Sequence, residues 1–103
     1  MKVIWENIAK QAVKDIAKYI RTDFGVGREA IFRDEVRHVT ELLMQNPYMG
    51  ALDPLFEDRA ISYRSVIVSR KNKLVYYVDG KYIHISAFWD CRQDPVAQAA
   101  RVK

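Results

Sequence analysis

Five cations and no acid lie between Arg59 and Lys73: Arg59, Arg64, Arg70, Lys71 and Lys73. Clustered positive charge is the electrostatic footprint of a phosphate-rich or acidic partner. Arginine suits that task because its planar fork matches phosphate oxygens and stays charged. Arg92 adds a later cation, and His84 has an unperturbed pKa near ~6.5, so it can give or take a proton at neutral pH. Tyr77 and Tyr82 offer rings on which a base can stack. RNA cleavage would ask these residue types to activate a ribose 2′-OH, stabilise the pentavalent phosphate and protonate the leaving oxygen. Each also has a plainer use. Tyr76, Tyr77 and Tyr82 are ordinary strand residues, a mid-strand histidine commonly serves packing, and an exposed Arg92–Asp90 ion pair is worth only ~0 to 1 kcal/mol.

The remaining charge narrows the class. The chain has 103 residues and a net charge of +4, yet residues 6–45 hold seven basic and seven acidic side chains, and residues 46–58 hold only Asp53, Glu57 and Asp58. Half of the residues are apolar, a globular composition that fits one domain over residues 1–103. No apolar run is long enough to span a membrane, and the N-terminus lacks a secretory h-region. Cys91 has no cysteine partner, and no Cys/His spacing suggests a metal, so neither metal nor cofactor is expected and a reducing cytoplasm fits.

Hydrophobic period sets the elements that must carry these groups. Val3, Ile4 and Trp5 form a short strand. Asn7 stands where an N-cap belongs, and Ile8, Ala12, Ile16 and Ile20 then recur as a helical stripe that ends at Phe24-Gly25. A second helix fits Gly27 to Gln45, with Phe32, Val36, Val39 and Leu43 inward, and Asn46-Pro47 ends it. Residues 48–58 read as a loop. Ile61 to Ser69, Leu74 to Val78 and Tyr82 to Phe88 read as strands joined at Lys71-Asn72 and Asp79-Gly80. Two-residue turns would place Tyr63, Ser65, Ile67, Leu74, Tyr76, Val78, Ile83, Ile85, Ala87 and Trp89 under the helices, with Cys91 pointing the same way. They leave Arg64, Val66, Val68, Lys73, Val75, Tyr77, Tyr82, His84, Ser86 and Phe88 opposite, with Asp90 and Arg92. A three-residue turn would invert one strand. The expected fold is α+β, β-α-α-β-β-β, with a helical hairpin packed on one face of a small, mainly antiparallel sheet.

Three local patterns in this order resemble the RelE/ParE family of bacterial toxins: Tyr19-Ile20 with Phe24-Gly25; Leu42-Leu43 with Asn46-Pro47 and Gly50 ahead of Tyr63-Arg64 and the Leu74–Val78 strand; and the closing run from Phe88 to Pro95 with its arginine. The likeness spans roughly residues 3–95. It implies the toxin component of a bacterial type II toxin-antitoxin module, a plasmid stabilisation protein acting in the cytoplasm and neutralised by a cognate antitoxin. Two residue patterns separate the branches. The closely spaced lysines of RelE-like nucleases are missing before the second strand, and no Tyr or His follows Arg92. The closer resemblance is therefore to ParE-like members, which inhibit growth by binding a target such as DNA gyrase; Arg59, Arg64, Arg70, Lys71, Lys73, Tyr77, Tyr82 and Arg92 are the expected target-binding residues. The alternative is a RelE-like, ribosome-dependent mRNA endonuclease using Arg64, Arg92 and His84 as catalytic residues. A second alternative is an inactive member that only binds an antitoxin.

Overall fold

A computed structural model describes residues 1–102. Strand β1 (Lys2–Trp5) leads into helices α1 (Asn7–Phe24) and α2 (Val26–Gln45), followed by β2 (Ala51–Leu52), a 3-10 turn (Pro54–Phe56), β3 (Arg64–Val68), β4 (Asn72–Asp79), β5 (Tyr82–Asp90) and α3 (Pro95–Ala99). The five strands lie in the order β1-β5-β4-β3-β2, antiparallel except for the parallel β1–β5 pair. The α+β class and the helical hairpin over one sheet face agree with the sequence reading. The structure adds β2, the 3-10 turn and α3.

The hairpin turns on one residue. Gly25 has φ 94, in the left-handed region that favours glycine, and its N–H donates to the Arg21 carbonyl at 3.0 Å. Asn7 is the first helical residue rather than the N-cap. Glu6 takes the cap position without a side-chain cap because its own N–H still pairs with the Ile85 carbonyl at 3.0 Å, so helix begins as soon as strand pairing stops. Ala9, Ala17, Phe32, Val36 and Leu43 bury the inward stripes against Val68, Leu74, Tyr76, Ile83, Ile85 and Phe88.

Two local features overturn the expected division of the sheet. Val68 pairs with Asn72, so β3 and β4 are joined by three residues, Ser69 to Lys71. That inverts β3: Val66 and Val68 face the helices together with Arg64, while Ser65 and Ile67 turn away. Ser69 and Arg70 adopt φ of 57 and 63, a conformation that costs residues with a Cβ about 1 to 2 kcal/mol each. The Ser69 hydroxyl is tied to the Glu35 carboxylate of α2, which anchors the loop to the hairpin. In β5, Val75 pairs with Ala87 but Tyr76 with Ile85, which leaves Ser86 as a one-residue bulge. Beyond it the faces exchange. Phe88 meets Phe32 edge-on at 6.0 Å under the helices, and Ala87 and Trp89 move to the other face.

The face opposite the hairpin is consequently not an open surface. Phe56, Tyr63, Val75, Ala87, Trp89, Ala99 and Val102 form a second core, closed by the 3-10 turn and α3. Both closing elements start with the same dipeptide. Asp53 accepts the Leu55 N–H at 3.0 Å ahead of Pro54, and Asp94 accepts the Val96 N–H at 3.0 Å ahead of Pro95. Cys91 lies past the strand end and is exposed, contrary to the expected core position. Among the described residues, no helix is long and apolar enough to cross a membrane.

Candidate partner-binding site

The cations that are contiguous in sequence are separated in space, and three of them are engaged by the fold. Arg59 donates to the carbonyls of Ala99 and Val102 and lies 5.1 Å over the Phe56 ring, holding the end of α3 to the 3-10 turn. Arg64 donates to the Gly50 carbonyl at 2.7 Å and stands over Tyr48 at 5.2 Å. Lys73 reaches Asp53 at 2.5 Å and sits 5.5 Å over Trp89. Burial alone would raise the Asp53 carboxyl, but hydrogen bonds from Lys73, the Leu55 N–H and Ser65 outweigh it, and its pKa is lowered.

The residues proposed for proton chemistry do not converge. His84 stacks on Tyr77 at 4.6 Å and 8°, with Tyr82 at 6.3 Å and Asp79 at 4.0 Å, all on the face away from the hairpin. Tyr77 continues edge-on to Tyr63 at 5.5 Å. Burial raises the Tyr77 phenol, with Glu6 and Asp79 adding to the shift. Arg64 faces the hairpin at the level of Tyr76, whereas Arg92 follows Asp90, which pairs with Asn72. Four residues of β4, roughly 13 Å, separate those levels. Arg64, Arg92 and His84 therefore do not share a face, and no phosphate could touch all three. Among the described residues, no group of His, Cys, Asp and Glu is arranged to hold a metal ion.

Arg70, Lys71 and Arg92 do come together. They line a groove of about 490 Å³ between the hairpin and the β3–β4 loop, joined by Arg28 from α2. Arg28, Arg70 and Lys71 have no acidic partner within 4 Å among the described residues, so their charge is free to meet another molecule. Arg92 forms a two-pronged pair with Asp90, at 2.7 and 3.0 Å, which lowers the Asp90 pKa. The floor is apolar. Tyr19, Phe24 and Ile31 are more than half exposed, and Tyr19 meets Phe24 edge-on at 6.2 Å. Asn72 is buried on the same wall with its Oδ1 unpartnered.

Sequence reasoning missed Arg28, Tyr19, Phe24, Ile31 and Asn72. A signal existed for three of them: Tyr19, Phe24 and Ile31 are large and apolar at helix positions beside the inward stripe, clustered around the hairpin turn, where packing gives them nothing to cover.

A helical hairpin on a five-stranded sheet, with a cationic and apolar groove at the hairpin's turn, defines a small α+β protein. The family model described as ParE toxin of type II toxin-antitoxin system, parDE, matches residues 3–95, and the chain belongs to that family. A solved structure from a chromosomal ParDE toxin-antitoxin system of P. aeruginosa shares the fold, with a TM-score of 0.71 at 19% identity over 87% of this chain and 95% of that one. No curated protein matches the chain.

Proposed function

We propose that this ParE-family chain arrests bacterial growth by binding a macromolecular target such as DNA gyrase, and that a cognate antitoxin neutralises it. The carrying observation is the sorting of its cations. Arg59, Arg64 and Lys73 are spent on internal contacts and Arg92 on Asp90, while Arg28, Arg70 and Lys71 rim an apolar floor with no acidic partner within 4 Å among the described residues. Free charge beside exposed apolar rings suits recognition of a macromolecule: the charge speeds encounter and the rings supply the buried area. The separation of Arg64, Arg92 and His84 supports binding over RNA cleavage, which would need them around one phosphate.

Inducible expression in bacteria, combined with gyrase supercoiling and ribosome-programmed mRNA cleavage assays on one protein preparation, tests this function. Growth arrest, inhibited supercoiling and intact message are expected. Cleaved message with unimpaired supercoiling would instead identify a nuclease. Unimpaired growth with retained antitoxin binding would identify a member that only binds its partner.

A further inference from the structure

Residues 6–45 carry no net charge, yet the two helices dispose of their charges differently. On α2, Arg33 pairs with Glu29 at 3.1 Å and Arg37 with Asp34 at 2.7 Å, at the i,i+4 and i,i+3 spacings that stabilise a helix. On α1, Lys10, Lys14 and Lys18 follow one another at four-residue intervals, all exposed. None of the three has an acidic partner within 4 Å among the described residues. The one acid between them, Asp15, accepts from Gln11 at 2.8 Å instead. Arg21 continues the row one turn further, mostly exposed and 3.8 Å from Glu29. Like charges at this spacing repel, so the row costs the helix stability. No ion pair of the three lysines among the described residues offsets that repulsion.

The surroundings of the row select its partner. Successive lysines stand about 6 Å apart along the axis, and the row from Lys10 to Lys18 covers about 12 Å. One strand of duplex DNA presents a phosphate every ~3.4 Å of axis, so the row faces about three to four of them. A protein surface is a poorer match, because lysine is depleted and aromatic rings are enriched at protein interfaces. The exposed rings of α1, Tyr19 and Phe24, line the groove and not the row. A membrane surface needs an apolar helix face free to insert, whereas α1 buries its own in the core through Ala9 and Ala17. A single-stranded nucleic acid calls for rings on which bases stack, and the row has none.

We propose that the outer face of α1 carries a phosphate-backbone contact for duplex DNA, made by Lys10, Lys14 and Lys18 without reading bases. Each ammonium is a flexible point charge that displaces condensed counterions, which gives affinity without sequence preference. The choice of DNA over RNA rests on the target reading above: a chain that binds a DNA-handling target meets the DNA which that target holds.

The test titrates the full-length chain against a fluorescent DNA duplex of about 20 base pairs between about 50 and 200 mM salt. Log affinity should fall against log salt with a slope of about −3. Lys14→Gln should reduce that slope by about one. Lys10→Gln, Lys14→Gln and Lys18→Gln combined should weaken binding at the lower salt by about tenfold or more, without lowering the thermal midpoint. Arg28→Gln, Arg70→Gln and Lys71→Gln combined, which neutralise the groove, should leave the lysine-dependent slope in place. No binding at the lower salt, or a slope that follows the groove cations and ignores the lysines, overturns the contact. Tighter binding to an RNA duplex, a single strand or phosphatidylserine vesicles overturns its assignment to duplex DNA. Growth arrest is measured in parallel: arrest without a DNA contact leaves the toxin reading standing, and a lysine-dependent slope without arrest removes the toxin reading while keeping the contact.

Discussion

Tyr76 and Gly50 are coupled through one hydrogen bond and one close approach. The Tyr76 hydroxyl is buried and accepts the Gly50 N–H at 2.9 Å; burial raises its pKa, opposed by that bond and by Arg64. A Cβ on Gly50 would lie 2.8 Å from both the Ser65 carbonyl and the Tyr76 oxygen. Tyr76→Phe should cost about 1 to 2 kcal/mol by orphaning the buried N–H. Gly50→Ala should remain destabilising when combined with Tyr76→Phe, because the clash with the Ser65 backbone persists; urea midpoints of the two single variants and the double variant check this. Asp53 makes a second prediction. Its folded pKa is depressed, so its ionised form contributes stability above the ordinary carboxylate range, and that contribution disappears as pH falls through the lowered value. Asp53→Asn should lose about 2 to 4 kcal/mol at pH 7 by stranding Lys73 over Trp89. It should also lose that part of the acid-side slope below about pH 5. Parallel stability curves for the two proteins from pH 7 to pH 3 would refute the coupling.

At the scale of elements, the helices were legible and the sheet faces were not. The stripes of α1 and α2 announce themselves because 3.6-residue periodicity over five turns leaves little choice of inward face. The three long strands were equally readable, but the turn between β4 and β5 is Gly80-Lys81 rather than Asp79-Gly80. Asp79 pairs with Tyr82 and Tyr77 with His84, where a turn at Asp79-Gly80 would oppose Tyr77 to Tyr82; because the shift is two residues, the faces there are unchanged. Face assignment failed because it hangs on single residues. One extra residue in the Ser69–Lys71 loop inverted β3, and one at Ser86 inverted the end of β5. Neither loop residue with positive φ is the glycine or asparagine that would have signalled it. The α3 helix was within reach, since Asp94-Pro95 is a cap with proline next at the first helical position. Removing that cap with Asp94→Ala should cost about 1 kcal/mol. The local signature is faster amide exchange across residues 95–99 with β1 unaffected. Arg59→Ala should loosen the same helix from its other end, because its guanidinium holds the Ala99 and Val102 carbonyls.

For the whole molecule, net charge describes the protein less well than the distinction between cations held by the fold and cations left free. Replacing Arg28, Arg70 and Lys71 together by glutamate should leave the thermal midpoint little changed, since none makes an ion pair within 4 Å among the described residues and Lys71 acts on Asp90 only through longer-range attraction. It should nonetheless slow association with an acidic partner by about tenfold or more. The same variant should flatten the salt dependence of that rate. Neutralising Arg59, Arg64 and Lys73 should do the reverse, lowering stability with little direct effect on encounter. Stopped-flow association at two salt concentrations, beside thermal melts, separates the sets. The parallel pairing of β1 with β5 has a consequence for the order of assembly. Lys2 finds its partner in Tyr82, so the sheet cannot close until nearly the whole chain has been synthesised, whereas the helical hairpin needs only contacts along its own length. A nascent or truncated chain ending before Tyr82 would hold two amphipathic helices with no completed sheet to cover. Such a fragment is a substrate for chaperones and proteases, and the folded groove exists only once synthesis has passed the last strand.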